Sequence, residues 1–361
     1  MTLVVVLLST AYIAEFFVVS GLELRSLQTF RDAGKARGMA RLAFKALQAG
    51  LLVNQTVTMR ELAPLQASQG LIAIPWQGGL LARLAIEPQD HLFNLNELQN
   101  LRPGQAKEIA GSELFRKIME GVEIPSPDPE LEPSALPPDV IGAIYGAIFD
   151  WIDKDQLDYV GFADAPGAEQ SSYLGDDPEF DVKNGRLDSL TEIRLIRGIV
   201  ESRMPWATWQ KHFAALPTTS KTVLYPGRLN VNLATQEELI DFLKNRQMDD
   251  PNVLRSATEV DTQVAINAFA DHAEEIVEVL LPSELARPTF TDTSLKQALQ
   301  GVQGINTKYI GTLFATSTEY FRVSIETEMN GVEGRLEALL RFPRAAGGST
   351  KAVEVISLTI R

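Results

Sequence analysis

A chain of 361 residues, 45% of them hydrophobic, is long enough to bury more than one core, which excludes a disordered tether. It has no cysteine, so thiol catalysis, disulfides and thiolate metal sites are excluded. The formal net charge of −14 is uneven: residues 1–60 hold seven Lys/Arg against three Asp/Glu, leaving 26 against 44 in an acidic remainder that repels phosphate backbones.

The first nineteen residues are apolar apart from short polar side chains and Glu15, and they run without a break into a basic arm. No basic region precedes the apolar stretch and no small-residue cleavage site follows it, so a retained membrane anchor is expected rather than a secretory signal peptide. Residues 1–24 suffice to cross a hydrocarbon core of about 30 Å at 1.5 Å per residue. Glu15 at that depth calls for pairing or for shielding by a protein neighbour. Beyond it, Leu24, Leu27, Phe30, Met39, Leu42, Phe44, Leu47 and Leu51 recur among charges with no proline. That predicts one continuous helix to about residue 53, within an amphipathic segment assigned to 25–60, with bends or close helix contacts at Gly21, Gly34 and Gly38.

Short strand-like runs follow at Gly70 to Pro75 and Leu80 to Ile86, split by Gly78-Gly79. The element Phe93-Asn94-Leu95-Asn96 closes this region, and a second version stands at Leu229-Asn230-Val231-Asn232. Asparagine at such places satisfies backbone groups, and both Thr235 with Glu238 and Ser189 with Glu192 have capping-box spacing. Pro125 to Pro138 cannot be a continuous helix and reads as a surface excursion. The pattern from there to about Leu281 is mostly helical. Tyr320 to Glu328 then alternates with period two, Asn330-Gly331 gives a hairpin turn, and Arg335 to Phe342 and Ala352 to Ile360 supply further strands around Gly347-Gly348. Strands so far apart in sequence must close around what lies between them. The expected fold class is therefore α+β: a first sheet part over 61–96, an inserted α-helical domain over 97–285, and a C-terminal α+β part over 286–361.

The segment Asp150 to Asp181 carries ten acidic residues against the single Lys154. Clustered carboxylates in a turn-rich stretch are what Ca²⁺ requires, and they are equally what a solvated acidic loop looks like. The spacing excludes an EF-hand: counting Asp153 as the first position puts Asp158 where that loop needs glycine and Asp164 where it needs glutamate. Trp151 and Tyr173, flanking the cluster, read as core residues that fix the loop.

Two functional alternatives also arise from the residues. A hydrolase has only His91, His212 and His272 to draw on, none in a paired motif, and no Gly-x-Ser-x-Gly or Walker A run exists. A membrane-anchored DNA receptor would rest on Asn230 to Thr235 and Gly301-Val302-Gln303-Gly304-Ile305, which resemble helix-hairpin-helix elements. Such hairpins need nearby cations, and Lys308 is the only basic residue close to the second element.

Four features in this order and spacing resemble the minor pseudopilin K family of bacterial type II secretion systems over essentially the whole chain. They are the MTLVVVLL opening, the Phe93 to Asn96 element, Asp150-Trp151-Ile152-Asp153-Lys154-Asp155 with Gly167-Ala168-Glu169 and Tyr173, and a Thr191 to Gly198 helix leading to Leu229 to Asn232. The resemblance implies a pilin-like fold, a long N-terminal helix packed on a small antiparallel sheet with the α domain inserted between its strands. It implies a non-enzymatic, single-pass protein of the Gram-negative inner membrane with its body in the periplasm. A prepilin peptidase would remove a basic leader, leaving Met1 as the methylated first residue, and Val5 stands where other pilin-like subunits carry a glutamate. The leader's charges would also reconcile the outward arm of Arg25, Arg31, Lys35, Arg37 and Arg41 with the positive-inside tendency. Implied partners are the minor pseudopilins I, J and H, the inner-membrane assembly platform, and exported substrate or the secretin, with no nucleic acid. The implied cofactor is structural Ca²⁺ held by Asp153, Asp155 and Glu169, with Asp164 and Gln170 as further oxygen donors. Gln170 departs from the family's Gly-Ala-Glu-Asp and brings an oxygen without charge.

Overall fold

The computed structural model describes residues 2–53, 71–74, 80–124, 134–160, 167–174, 181–217, 227–254, 256–282, 288–342 and 353–360. The chain divides into two compact units, Met1–Glu87 with Glu319–Arg361, and Pro88–Thr318. The inserted unit is thus wider at both ends than the 97–285 read from the sequence. Its outer residues carry two-residue strands and helices of three to eight residues, too short to declare themselves by periodicity.

Helix α1 spans Thr2–Val53. The strands in chain order are β1 (Leu71–Ile74), β2 (Leu80–Pro88), β3 (Phe93–Asn94), β4 (Phe213–Ala214), β5 (Leu229–Asn230), β6 (Phe314–Ala315), β7 (Tyr320–Met329), β8 (Val332–Arg341) and β9 (Glu354–Ile360). In the first unit a five-stranded sheet has the order β1-β2-β7-β8-β9. β7 and β8 pair antiparallel over their whole length, from Tyr320 with Arg341 to Met329 with Val332. Asn330 at φ 51° and Gly331 at φ 80° both occupy the left-handed region, which a two-residue hairpin turn of matching twist demands.

Period-two burial puts Phe321, Val323, Ile325 and Thr327 of β7 and Leu336, Ala338 and Leu340 of β8 inside. α1 answers with Asp32, Ala36, Met39, Ala40, Phe44, Leu47 and Leu51, a stripe spaced three or four apart. Leu24, Leu27, Phe30 and Leu42, which the sequence groups with this stripe, are exposed. Gly334 marks the tightest approach: a Cβ there would lie 2.8 Å from the carbonyl carbon of Ala36. Thr327 donates its hydroxyl to Ala36 O at 2.8 Å, and Asn330 Nδ2 donates to Asp32 Oδ2 at 2.9 Å. The Asn330 bond, followed by Arg31, holds the Asp32 carboxyl below its ordinary range. No close contact explains Gly21, Gly34 or Gly38, since a Cβ on any of them would meet nothing within 4 Å. Among the described residues no helix is long and apolar enough to cross a membrane. Met1 and the side chains of residues 2–17, Val5 among them, lie outside that description.

In the second unit the two asparagine elements do the same work twice. β3 pairs parallel with β4, and β5 pairs parallel with β6. Asn96 Nδ2 donates to Leu187 O and Leu216 O at 3.0 and 3.2 Å, while its Oδ1 accepts from Leu187 N–H at 2.7 Å. Asn232 repeats this with Phe290 O, Thr316 O and Phe290 N–H at 2.9, 2.9 and 2.7 Å. Each asparagine is buried and staples distant segments beside its strand pair. The capping box of Thr235 and Glu238 forms at the start of the helix Gln236–Lys244. The box read at Ser189 and Glu192 does not form: Leu190–Leu195 is a 3-10 turn without a side-chain cap from Ser189, and Glu192 accepts from Asp188 N–H instead. The 191–198 helix is to that extent corrected.

Candidate cation site

The helix Pro138–Ile152 opens on proline, whose fixed φ suits a first helical position, and is apolar on nearly every side. It ends where Asp153 leaves helical geometry, with Asp153 N–H donating to Phe149 O at 2.9 Å. Asp155 Oδ1 accepts from Leu157 N–H at 2.9 Å, an Asx turn that folds the chain back. Tyr159 N–H donates to Asp150 Oδ1 at 2.8 Å, and Gly167 N–H to Tyr159 O at 3.1 Å. Glu169 then stands at the start of the short helix Gln170–Tyr173. Tyr173 and Trp151 are buried and meet edge to face at 5.8 Å, the core placement expected of them.

Asp153, Asp155 and Glu169 are thereby brought together, each offering an oxygen within 4.8 Å of the others. Glu169 is only 4% exposed. Its two oxygens, with Asp153 Oδ1 and Asp150 Oδ2, are buried and have no hydrogen-bond partner of ordinary geometry among the described residues. Burial pushes Asp150 up to about 7 and Asp153 up to about 6, and like-charged neighbours add to both, Glu169 for the first and Asp155 for the second. Burial raises Glu169 in the same direction. A cluster of hard oxygen donors that resists its own charge is chemically suited to a divalent cation, whose charge reverses that resistance.

Asp164 lies outside the described residues. Gln170 does not turn its carbonyl freely to the cluster, because Oε1 accepts from Val182 N–H at 2.7 Å. Sequence reading passed over Asp150 as a buried member of the site, and Gly167. A Cβ at Gly167 would fall 1.8 Å from Asp150 Oδ2, so only glycine lets the returning chain pass the carboxylate. Nothing in a lone glycine of a turn-rich stretch announces that contact.

Several residues of the two alternatives are engaged within the fold. The amides of Asn230 and Asn232 bond inside the unit, to Thr318, Phe290 and Thr316, rather than face a phosphate. His272 Nδ1 pairs with Glu275 at 3.3 Å, and burial holds His91 down to about 4.

Residues 91–218 match the family model for type II secretion system (T2SS) protein K. No curated protein matches the chain. Its fold is similar to a solved chain of the GspK-GspI-GspJ complex from the enterotoxigenic Escherichia coli type 2 secretion system. The identity is 15% and the TM-score 0.53, with 94% of this chain and 99% of that one covered. Family model and fold agree with the K-type resemblance of the motifs, and the α+β class is the observed one.

Proposed function

We propose that this chain, with a protein K signature over residues 91–218 and a K-like fold over 94% of its length, works as a minor pseudopilin of type II secretion. The observation that carries the reading is that the signature falls on the inserted unit itself, the part that distinguishes the chain from a simple helix-and-sheet subunit. The partners on this reading are the I and J pseudopilins, with H below them. The body lies in the periplasm of a Gram-negative cell, held at the inner membrane by α1 before assembly. The role is structural rather than enzymatic. The inserted unit is too bulky to repeat along a narrow filament, which favours the tip and a place at the start of assembly.

The cation of the acidic pocket is calcium on this reading, held by Asp153, Asp155 and Glu169. Three carboxylate oxygens leave room for the carbonyl and water oxygens that complete a shell of six to eight. Bound there, it neutralises carboxylates that otherwise repel one another and ties the helix end at Asp153 to Glu169.

Complementation tests the role. In a secreting strain lacking its own protein K, with this system's other components supplied, the full chain restores export of the system's substrates to the medium. A chain lacking residues 88–318 does not. Export at the parental level with the truncated chain would contradict the importance given to the inserted unit.

A further inference from the structure

The pocket's carboxylates repel one another, so something other than the cation must hold them near before it binds. Among described residues 154–160 only Tyr159 is buried, and its ring lies 4.8 Å from Phe149 and 5.6 Å from Tyr145. Each of its polar groups is engaged. The backbone N–H reaches Asp150 and the carbonyl receives Gly167 N–H, as above, while the hydroxyl donates to Glu108 Oε1 at 2.5 Å. The first ties the loop carrying Asp153 and Asp155 back to the end of its helix, and the second joins that loop to the segment arriving at Glu169. Glu108 is itself fixed: it is buried in the first turn of the helix Ala106–Glu120, and its Oε2 accepts from Gly104 N–H at 2.9 Å. A carboxylate is favoured at that helix end. A continuous set of bonds therefore runs from a core helix through Glu108 and Tyr159 to both sides of the pocket.

We propose that Tyr159, clasped by Glu108, is the positioning residue that keeps Asp153, Asp155 and Glu169 at cation-binding distance. The inference rests on the calcium reading given above. Neither residue touches the cation. They set the loop on which its ligands stand, as partners beyond the ligands do in metal sites generally.

The test is calorimetric titration of the full chain with calcium after removal of divalent ions, together with terbium luminescence decay, which counts the waters on a bound ion. Tyr159→Phe keeps the ring and loses the bond to Glu108. Calcium affinity falls about 10- to 100-fold, and bound terbium carries additional water; the melting temperature without calcium falls as well, because the buried Glu108 oxygen loses its donor, so affinities are compared at a temperature where both chains are folded. Glu108→Ala reproduces the loss and decides the matter should Tyr159→Phe fail to fold. Glu108→Gln, which retains an acceptor oxygen for the hydroxyl, restores affinity to within a few-fold of the parent. Parental affinity in both Tyr159→Phe and Glu108→Ala overturns the clasp alone. A parent chain that binds no calcium overturns the calcium reading, and the clasp with it.

Discussion

Replacing Asn96 or Asn232 with alanine is expected to destabilise the inserted unit by about 3–5 kcal/mol in each case, because three backbone groups, buried or, for the Thr316 carbonyl, part-buried, lose their partners at once. For Asn96 these are the N–H and carbonyl of Leu187 and the carbonyl of Leu216. For Asn232 they are the same pair on Phe290 and the carbonyl of Thr316. Urea unfolding reads the change as a lower midpoint at unaltered slope. Asn252→Ala is the control, since Asn252 is exposed and its side chain bonds to Asp250, its near neighbour in the same turn. Equal midpoints for all three variants would contradict the stapling role.

The second large effect is on calcium. On the calcium reading, saturating calcium at about a hundredfold above its dissociation constant is expected to stabilise the site's folded state by about 2.7 kcal/mol, or roughly 5–10 °C in melting temperature for a unit of this size. Glu169→Gln abolishes the rise, because it removes the charge of the most deeply placed ligand. The effect depends on pH in a fixed direction. Asp150 and Asp153 are raised to about 7 and about 6 from ordinary values near 4, so between those limits the folded state without calcium holds more protons than the unfolded one. Its stability therefore falls as pH rises from 4 to 7, and the calcium-induced rise grows over the same interval as binding displaces protons. Identical melting curves with calcium and with chelator at pH 7.5 would reject the site.

Strong local signals carried the readable part of the fold. The long helix is legible because no proline interrupts 52 residues, and the β7–β8 hairpin because Asn330-Gly331 can take positive φ between alternating strands. The asparagine elements are legible as a repeat, although which carbonyls they reach, 91 and 120 residues away for Asn96, is a tertiary matter. The exposed face of α1 between Leu24 and Phe30 could not be separated from the buried one, since apolar residues there do not keep to one side. In the pocket, Asp153, Asp155 and Glu169 follow from carboxylate density and from the family resemblance. Gly167 and the Tyr159–Glu108 bond do not, because they depend on a loop returning against a helix. Gln170 read as a donor from its side-chain chemistry, but its position beside Val182 gives that oxygen another partner.

The central claim is membership of a pseudopilin tip assembly, and the mass of the assembled particle tests it most directly. Residues 26–361, mixed in equal amounts with the soluble domains of the I and J pseudopilins of the same system, are measured by light scattering after gel filtration. The account predicts one peak with the summed mass of the three chains. Three separate peaks at the individual masses, under conditions where each protein is folded, would contradict it.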